Sequence, residues 1–155
     1  MSASIIPTLE AERQTYINQR EQAYQQRTQC EQAYESLCSF KTMVLQSQEE
    51  FHTINSHKAG MLSGVEEVKE NSITAQRYFA GMQNIFYGIG AKSIAAIYTV
   101  LLTTISAKLK SYENAVNDYE EEIFFCNIKI AELDIQIEIA KTAEKLAKFF
   151  MGGGL

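Results

Sequence analysis

A single proline, Pro7, interrupts 155 residues, and tryptophan is absent. With no proline beyond residue 7 and the eight glycines clustered at a few points, little forces the backbone out of helical geometry over long stretches. The three cysteines, Cys30, Cys38 and Cys126, form no C-x-x-C pair. An odd count without such a pair argues against a disulfide framework and for small buried hydrophobes in a reducing compartment. The chain also lacks a basic excess: net charge is -5, and even residues 108–155 carry nine acidic against six basic side chains. Phosphate backbones demand the opposite balance, so nucleic acid is excluded as a partner. The N-terminal residues MSASIIPTLEAE show neither a basic n-region nor an apolar h-region, so no Sec signal peptide is predicted and the expected location is cytoplasmic.

The motifs of catalysis are missing as well. Gly88-Ile89-Gly90 has neither the third glycine nor the Lys-Ser/Thr of a phosphate loop, and no G-x-S-x-G elbow occurs. The only E-x-x-H, Glu49 to His52, would need a second copy and further carboxylates to hold a di-iron centre. His52 and His57 are five residues apart, about 140 degrees around a helix, and cannot share a metal. All three cysteines fall on apolar positions where packing explains them. The sequence therefore predicts a protein that is not an enzyme and that carries no metal and no cofactor.

What is present is an apolar run from Tyr78 to Ala107, bounded by Arg77 and Lys108, with Lys92 its only charge. About 20 such residues reach across a bilayer. Seven aliphatic side chains between Ile89 and Ile105 gain roughly 2–4 kcal/mol on insertion, however, and a central Lys92 costs about 2.5–3.5. Ser93, Ala96, Thr99, Thr103, Ser106 and Lys110 recur at steps of three and four on one helix face, with Ile94, Ile97, Leu101, Ile105 and Leu109 on the other. That division predicts a helix packed between protein neighbours rather than one in a membrane. Phe86, Gly88 and Gly90 mark a glycine elbow within the run, where positive φ and a helix C-cap are favoured.

Heptads organise the remainder. Leu9, Tyr16, Ala23, Cys30, Leu37, Val44 and Phe51 repeat every seven residues, and so do Tyr112, Tyr119, Cys126, Leu133 and Ala140. Ile123, Ile130 and Ile137 supply the second register of the C-terminal segment, making an a/d seam. Arg13, Arg20 and Arg27 share the seven-residue spacing, with Glu10, Glu12, Glu21 and Glu31 interleaved, and read as a solvated, salt-bridged face. Glu120, Glu121 and Glu122 read as solvated too. Residues 14–32 are so polar that they are expected to project or to await a partner. The expected layout is a single all-helical domain over 1–155: helix 8–58 capped by Thr8, helix 64–87 opened by the capping box Ser63 to Glu66, helix 91–150 and a flexible tail 152–155. The predicted fold class is all-α, an elongated helical hairpin or coiled coil with its elbow near 86–90 and a long C-terminal helix. Because the seams look longer than one hairpin can cover, Tyr16, Ala23, Cys30, Leu37, Tyr112, Tyr119, Ile123, Ile130, Leu133 and Ile137 are the candidate partner-binding positions.

Phe86-Tyr87-Gly88 between two helical arms resembles the W-x-G turn of the small type VII secretion proteins, with Phe in place of Trp. The order of features is similar to that of the YwqH-like family: a long polar N-terminal helix, Cys38-Ser39-Phe40-Lys41, Tyr78 to Met82 before the turn, and a C-terminal coiled coil. The resemblance spans roughly residues 30–140. It implies a chaperone-like adaptor that binds the N-terminal helical domain of an LXG toxin, together with a second small helical protein. The tryptophan is missing and no Tyr-x-x-x-Asp/Glu follows, so the export signal of the W-x-G proteins does not carry over, and export would be as cargo of the complex. Two other readings stand beside this one. Residues 85–107 would insert into a membrane in the first, and the chain would form a self-associating coiled-coil homo-oligomer in the second.

Overall fold

The computed structural model describes residues 3–66 and 72–152, which form three α-helices: α1 (Ile6–Glu66), α2 (Ile73–Tyr87) and α3 (Ile89–Gly152). The chain is all-α, a helical hairpin with a long C-terminal helix, and no strand occurs among the described residues. It divides into two compact units, Met1–Ala33 with Tyr112–Leu155, and Tyr34–Ser111.

Helix boundaries depart from the expected ones in instructive ways. The chain enters α1 two residues before Thr8. The Ser4 hydroxyl accepts the Ile6 amide at 3.2 Å and the Ile5 carbonyl accepts Leu9 at 3.1 Å, while Pro7 sits in the first turn, where its missing N–H costs nothing. At the other end α1 passes the expected stop at Lys58 and runs through Gly60 and Gly64 to Glu66. Two helical glycines cost about 1 kcal/mol each, and the packing of Ala59 and Leu62 on either side of Gly60 offsets them. Ser63 is therefore not a cap, since its hydroxyl donates back to the Ala59 carbonyl inside the helix. The cap of α2 is Ser72, which has an extended backbone and whose side-chain oxygen accepts the Ala75 amide at 3.4 Å. The expected start of that helix at 64 is thus overturned; the intervening 67–71, including Val68 of its proposed apolar face, lie outside the described residues. So do 153–155 of the expected tail, while Gly152 belongs to α3.

In the unit Tyr34–Ser111, α2 lies antiparallel to the end of α1. Phe86 packs with Ala59 and Leu62, flanked by Phe79 and Met82, and the Asn55 amide donates to the Phe86 carbonyl at 2.8 Å. Further along, the Ser47 and Tyr98 hydroxyls share a hydrogen bond of 2.7 Å, and the Phe51 ring lies 6.1 Å from the Tyr98 ring. The chain consequently reverses between α1 and α2, before the glycine elbow. Gly88 is the single non-helical residue between α2 and α3; its amide donates to Asn84 at 2.8 Å and its carbonyl accepts Lys92 at 3.1 Å. Helical bonding therefore continues on both sides, and α2 and α3 do not fold back to bury Phe79, Met82, Ile94, Ile97 and Leu101 against each other. Phe79 and Met82 face α1's cluster, whereas Ile97 is exposed.

Gly88 itself is at φ -91, so the expected positive φ is absent. What requires glycine is space: a Cβ there would stand 2.5 Å from the Asn84 carbonyl oxygen and 2.9 Å from its Cα, and would also strike its side-chain oxygen. Backbone atoms cannot step aside as a side chain can. Gly88→Ala should therefore cost about 1–3 kcal/mol, a strain of the kind that overpacking produces. Gly81→Ala meets nothing within 4 Å, and losing a helical glycine should make it neutral to stabilising by about 1 kcal/mol. Chemical denaturation of the two variants checks the contrast; equal midpoints would remove the steric account of the elbow.

Candidate interaction surface

In the unit Met1–Ala33 with Tyr112–Leu155, the inner face of α3 is the a/d seam. Ile123, Cys126, Ile130, Leu133 and Ile137 are all buried, and Ala23 of α1 is 1% exposed against them. Tyr16, Cys30, Tyr112 and Tyr119 are half-buried, and Tyr16 meets Phe125 edge-on at 6.1 Å. Leu37, in the other unit, is half-buried too. Of the ten positions expected to bind a partner, Ala23, Ile123, Ile130, Leu133 and Ile137 are thus buried within the chain, and the other five are half-buried. Within this unit the seam closes against α1, through Ala23 and the Tyr16 ring.

The polar stretch of α1 does not project either. Gln19 donates to Glu122 at 3.1 Å, Arg20 to Asn127 at 3.0 Å and Arg13 to Asp134 at 2.5 Å. Arg13 and Arg20 thus reach across to α3 instead of lining a solvated face, and Glu122 is likewise half-buried and engaged. Arg27 stays on its own helix, over the Tyr24 ring at 5.2 Å and 3.8 Å from Glu31. The signal was the shared spacing: arginines four residues after Leu9, Tyr16 and Ala23 sit beside that seam and reach its rim with long, amphipathic stems.

Cys126 is 0% exposed. Burial pushes its thiol above the ordinary range, Glu122 adds to the rise and Arg20 opposes it. A raised acid pKa means the unfolded chain gives up this proton first, so the contribution is neutral below the unfolded value of about 8.5 and destabilising above it. Two of the three thiols, the half-buried Cys30 and Cys38, should react with a disulfide reagent at pH 8 in the native protein, and Cys126 only after denaturant is added. Three equally fast thiols would contradict the buried seam.

No cluster of three or more His, Cys, Asp or Glu able to hold a metal occurs among the described residues, and His52 and His57 are both exposed. The described cavities are shallow, such as the groove of about 300 Å³ formed by Lys58, Met61, Leu62, Tyr78, Met82 and Phe86. No convergence of acid, base and nucleophile accompanies them. The conspicuous property is apolar exposure instead. Around Gly88, Ile85, Tyr87 and Ile89 are 55–76% exposed, and Ile97 and Val100 follow at 64% and 66%. Ser93, Ala96, Thr99 and Thr103 are exposed as well, the threonine hydroxyls bonding back to Ala95 and Thr99 carbonyls. The helix expected to be packed between protein neighbours is thus covered on one side only, where Tyr98, Leu101 and Ile105 turn inward, and Ile94 is exposed. One stretch of Ile73–Gly152 is long and apolar enough to cross a membrane, with 6% of it buried.

A second apolar face went unread. Phe124, Ile128, Ile135, Ile139 and Leu146 are exposed on the side of α3 opposite the seam. Their steps of four and seven were visible, but the stronger isoleucine heptad beside them claimed the segment. Comparison with family models, with curated proteins and with solved structures finds no match to this chain.

Proposed function

We propose that this chain is a non-enzymatic helical adaptor, and that the exposed apolar surface around Gly88 is where another helical protein docks. The observation that carries the reading is the exposure of Ile85, Tyr87, Ile89, Ile97 and Val100 together in one unit. Exposed large apolar side chains gathered in one region mark interaction sites. An amphipathic helix laid along α2 and the start of α3 would cover them as i, i+3, i+4 anchors do in helix-in-groove recognition.

The resemblance to YwqH-like proteins supplies the identity of that partner: the N-terminal domain of an LXG toxin of type VII secretion, held soluble until export. Co-expression of the chain with such a domain tests this. Co-elution that Ile97→Glu or Val100→Glu abolishes is the expected result, and separate elution of the wild-type proteins at micromolar concentration would sink it. Membrane insertion of residues 85–107 is the second reading, favoured by the low burial of the apolar stretch. Lys92 and the hydroxyl-bearing face weigh against it. Flotation of the pure protein with anionic vesicles decides between the two.

A further inference from the structure

We propose that the helix docking on α2 and the start of α3 carries carboxylates beside its apolar stripe, and that Arg77 and Lys92 select it. The inference rests on the docking reading above and names the chemistry of the partner. Residues 72–112 hold four basic side chains, Arg77, Lys92, Lys108 and Lys110, and no aspartate or glutamate. On α1, Glu49 and Glu50 are exposed, and neither pairs with a cation of α2 or α3 among the described residues. The docking surface is thus apolar and of one sign, in a chain whose net charge is -5.

Two of these cations stand on the exposed surface itself. At about 100 degrees per residue, Arg77 lies opposite the buried Phe86 around α2, and Lys92 lies about 140 degrees from the buried Ile105 around α3. Both are exposed, and the ion pairs among the described residues include neither. Lys92 has Ile89 three residues before it and Ala96 four after it, so a helix that covers the 76%-exposed Ile89 also covers the stem of the lysine. A cation covered without a counter-charge loses its hydration and gains nothing in exchange. A partner helix with glutamate or aspartate beside its apolar stripe supplies that charge, whereas one with lysine there sets like on like. A second copy docking through this same surface fails by the same argument, because it brings only further cations. Long-range attraction works the other way: a chain of net charge -5 favours a basic helix, so tighter binding of an acidic one has to originate in the local surface.

The probes are two synthetic helical peptides of about four heptads with the same stripe of isoleucine and alanine, one flanked by glutamate and the other by lysine. Each carries a fluorophore and is titrated with the full chain by anisotropy at low salt, and circular dichroism confirms that every variant is folded. The glutamate peptide should bind about tenfold tighter than its lysine twin. Lys92→Glu should cut that ratio about fivefold and Arg77→Glu should lower it too, whereas Lys145→Glu, the same charge change in the other unit, should leave it within about twofold. Ile97→Glu should abolish binding of both peptides, because it strikes the docking surface rather than its charge. Equal binding of the two peptides, tighter binding of the lysine twin, or a ratio that Lys92→Glu and Arg77→Glu leave alone overturns the proposal while the docking reading stands. Binding of neither peptide removes the docking reading and the proposal together, and anionic vesicles that then float the chain assign the surface to lipid.

Discussion

Phe86→Ala should destabilise the packing of α2 on α1 by about 3 kcal/mol, at the lower end of what truncating a buried phenylalanine costs. Phe86 is buried in α2, and its ring is the largest member of a cluster whose other described buried members are Ala59 and Leu62. Phe79 and Met82 contact the cluster without being fully buried, and the neighbouring groove is open to solvent, so partial collapse after truncation keeps the loss below the upper end. The backbone adds a second tie: the Asn55 side chain donates to the Phe86 carbonyl, beside the one-residue break at Gly88. Asn55→Ala, which removes a single neutral hydrogen bond, should cost only about 1 kcal/mol. Limited trypsin digestion reads the local effect. Cleavage after the exposed Arg77 requires α2 to open, and 3 kcal/mol corresponds to roughly a hundredfold faster cutting when opening is a rapid pre-equilibrium. If Phe86→Ala is cut at the wild-type rate, the cluster does not hold α2 in place.

That cluster also shows where the sequence was readable and where it was not. An aromatic at 86 beside a glycine at 88 pointed to an organising position, and Phe86 is indeed buried. The direction of the chain there was misread because glycines at 60, 64, 88 and 90 look alike as helix breakers, while tertiary packing decides which of them break. Ala59 and Leu62 hold α1 helical through Gly60, and Asn84 leaves no room for anything but glycine at 88. α1 and α2 run antiparallel, yet no glycine or proline lies between Gly64 and Gly81 in the sequence to announce the change of direction. The heptads of the C-terminal segment were legible because Ile123, Ile130 and Ile137 repeat without exception and α3 keeps one register throughout. Which side of a seam is covered by the same chain is not a property of period, however. Five of the positions expected to meet a partner, Ala23, Ile123, Ile130, Leu133 and Ile137, are buried, whereas the outer strip from Phe124 to Leu146, with the same helical spacing, is exposed.

Ile130→Asp should be the most damaging single change in the other unit, costing more than about 4 kcal/mol. Two losses combine: a buried isoleucine is worth roughly 2–5 kcal/mol on truncation, and a carboxylate placed on the closed seam must be desolvated or stay protonated. Ile130 is 7% exposed between Cys126 and Leu133, which are 0% and 4% exposed. The opposing face of α1 contributes small or amphipathic groups, chiefly Ala23 and Tyr16, so α3 supplies most of the apolar area and nothing on α1 replaces what is lost. The bonds from Arg13, Gln19 and Arg20 do not compensate. The Arg13 and Asp134 side chains are 37% and 52% exposed, and ion pairs so placed are worth about 0–1 kcal/mol. With total stabilities near 5–15 kcal/mol, a loss of this size separates the helices of the unit under mild denaturant. Ile130→Val, which keeps the branch and removes one methyl, should cost about 1 kcal/mol, and Glu121→Ala on the exposed side should stay within about 0.5. Guanidinium unfolding followed at 222 nm gives the three midpoints. They should rank Glu121→Ala, Ile130→Val, Ile130→Asp from wild-type-like to unfolded, and an Ile130→Asp midpoint equal to the wild type would mean that the a/d seam is not what joins α1 to α3.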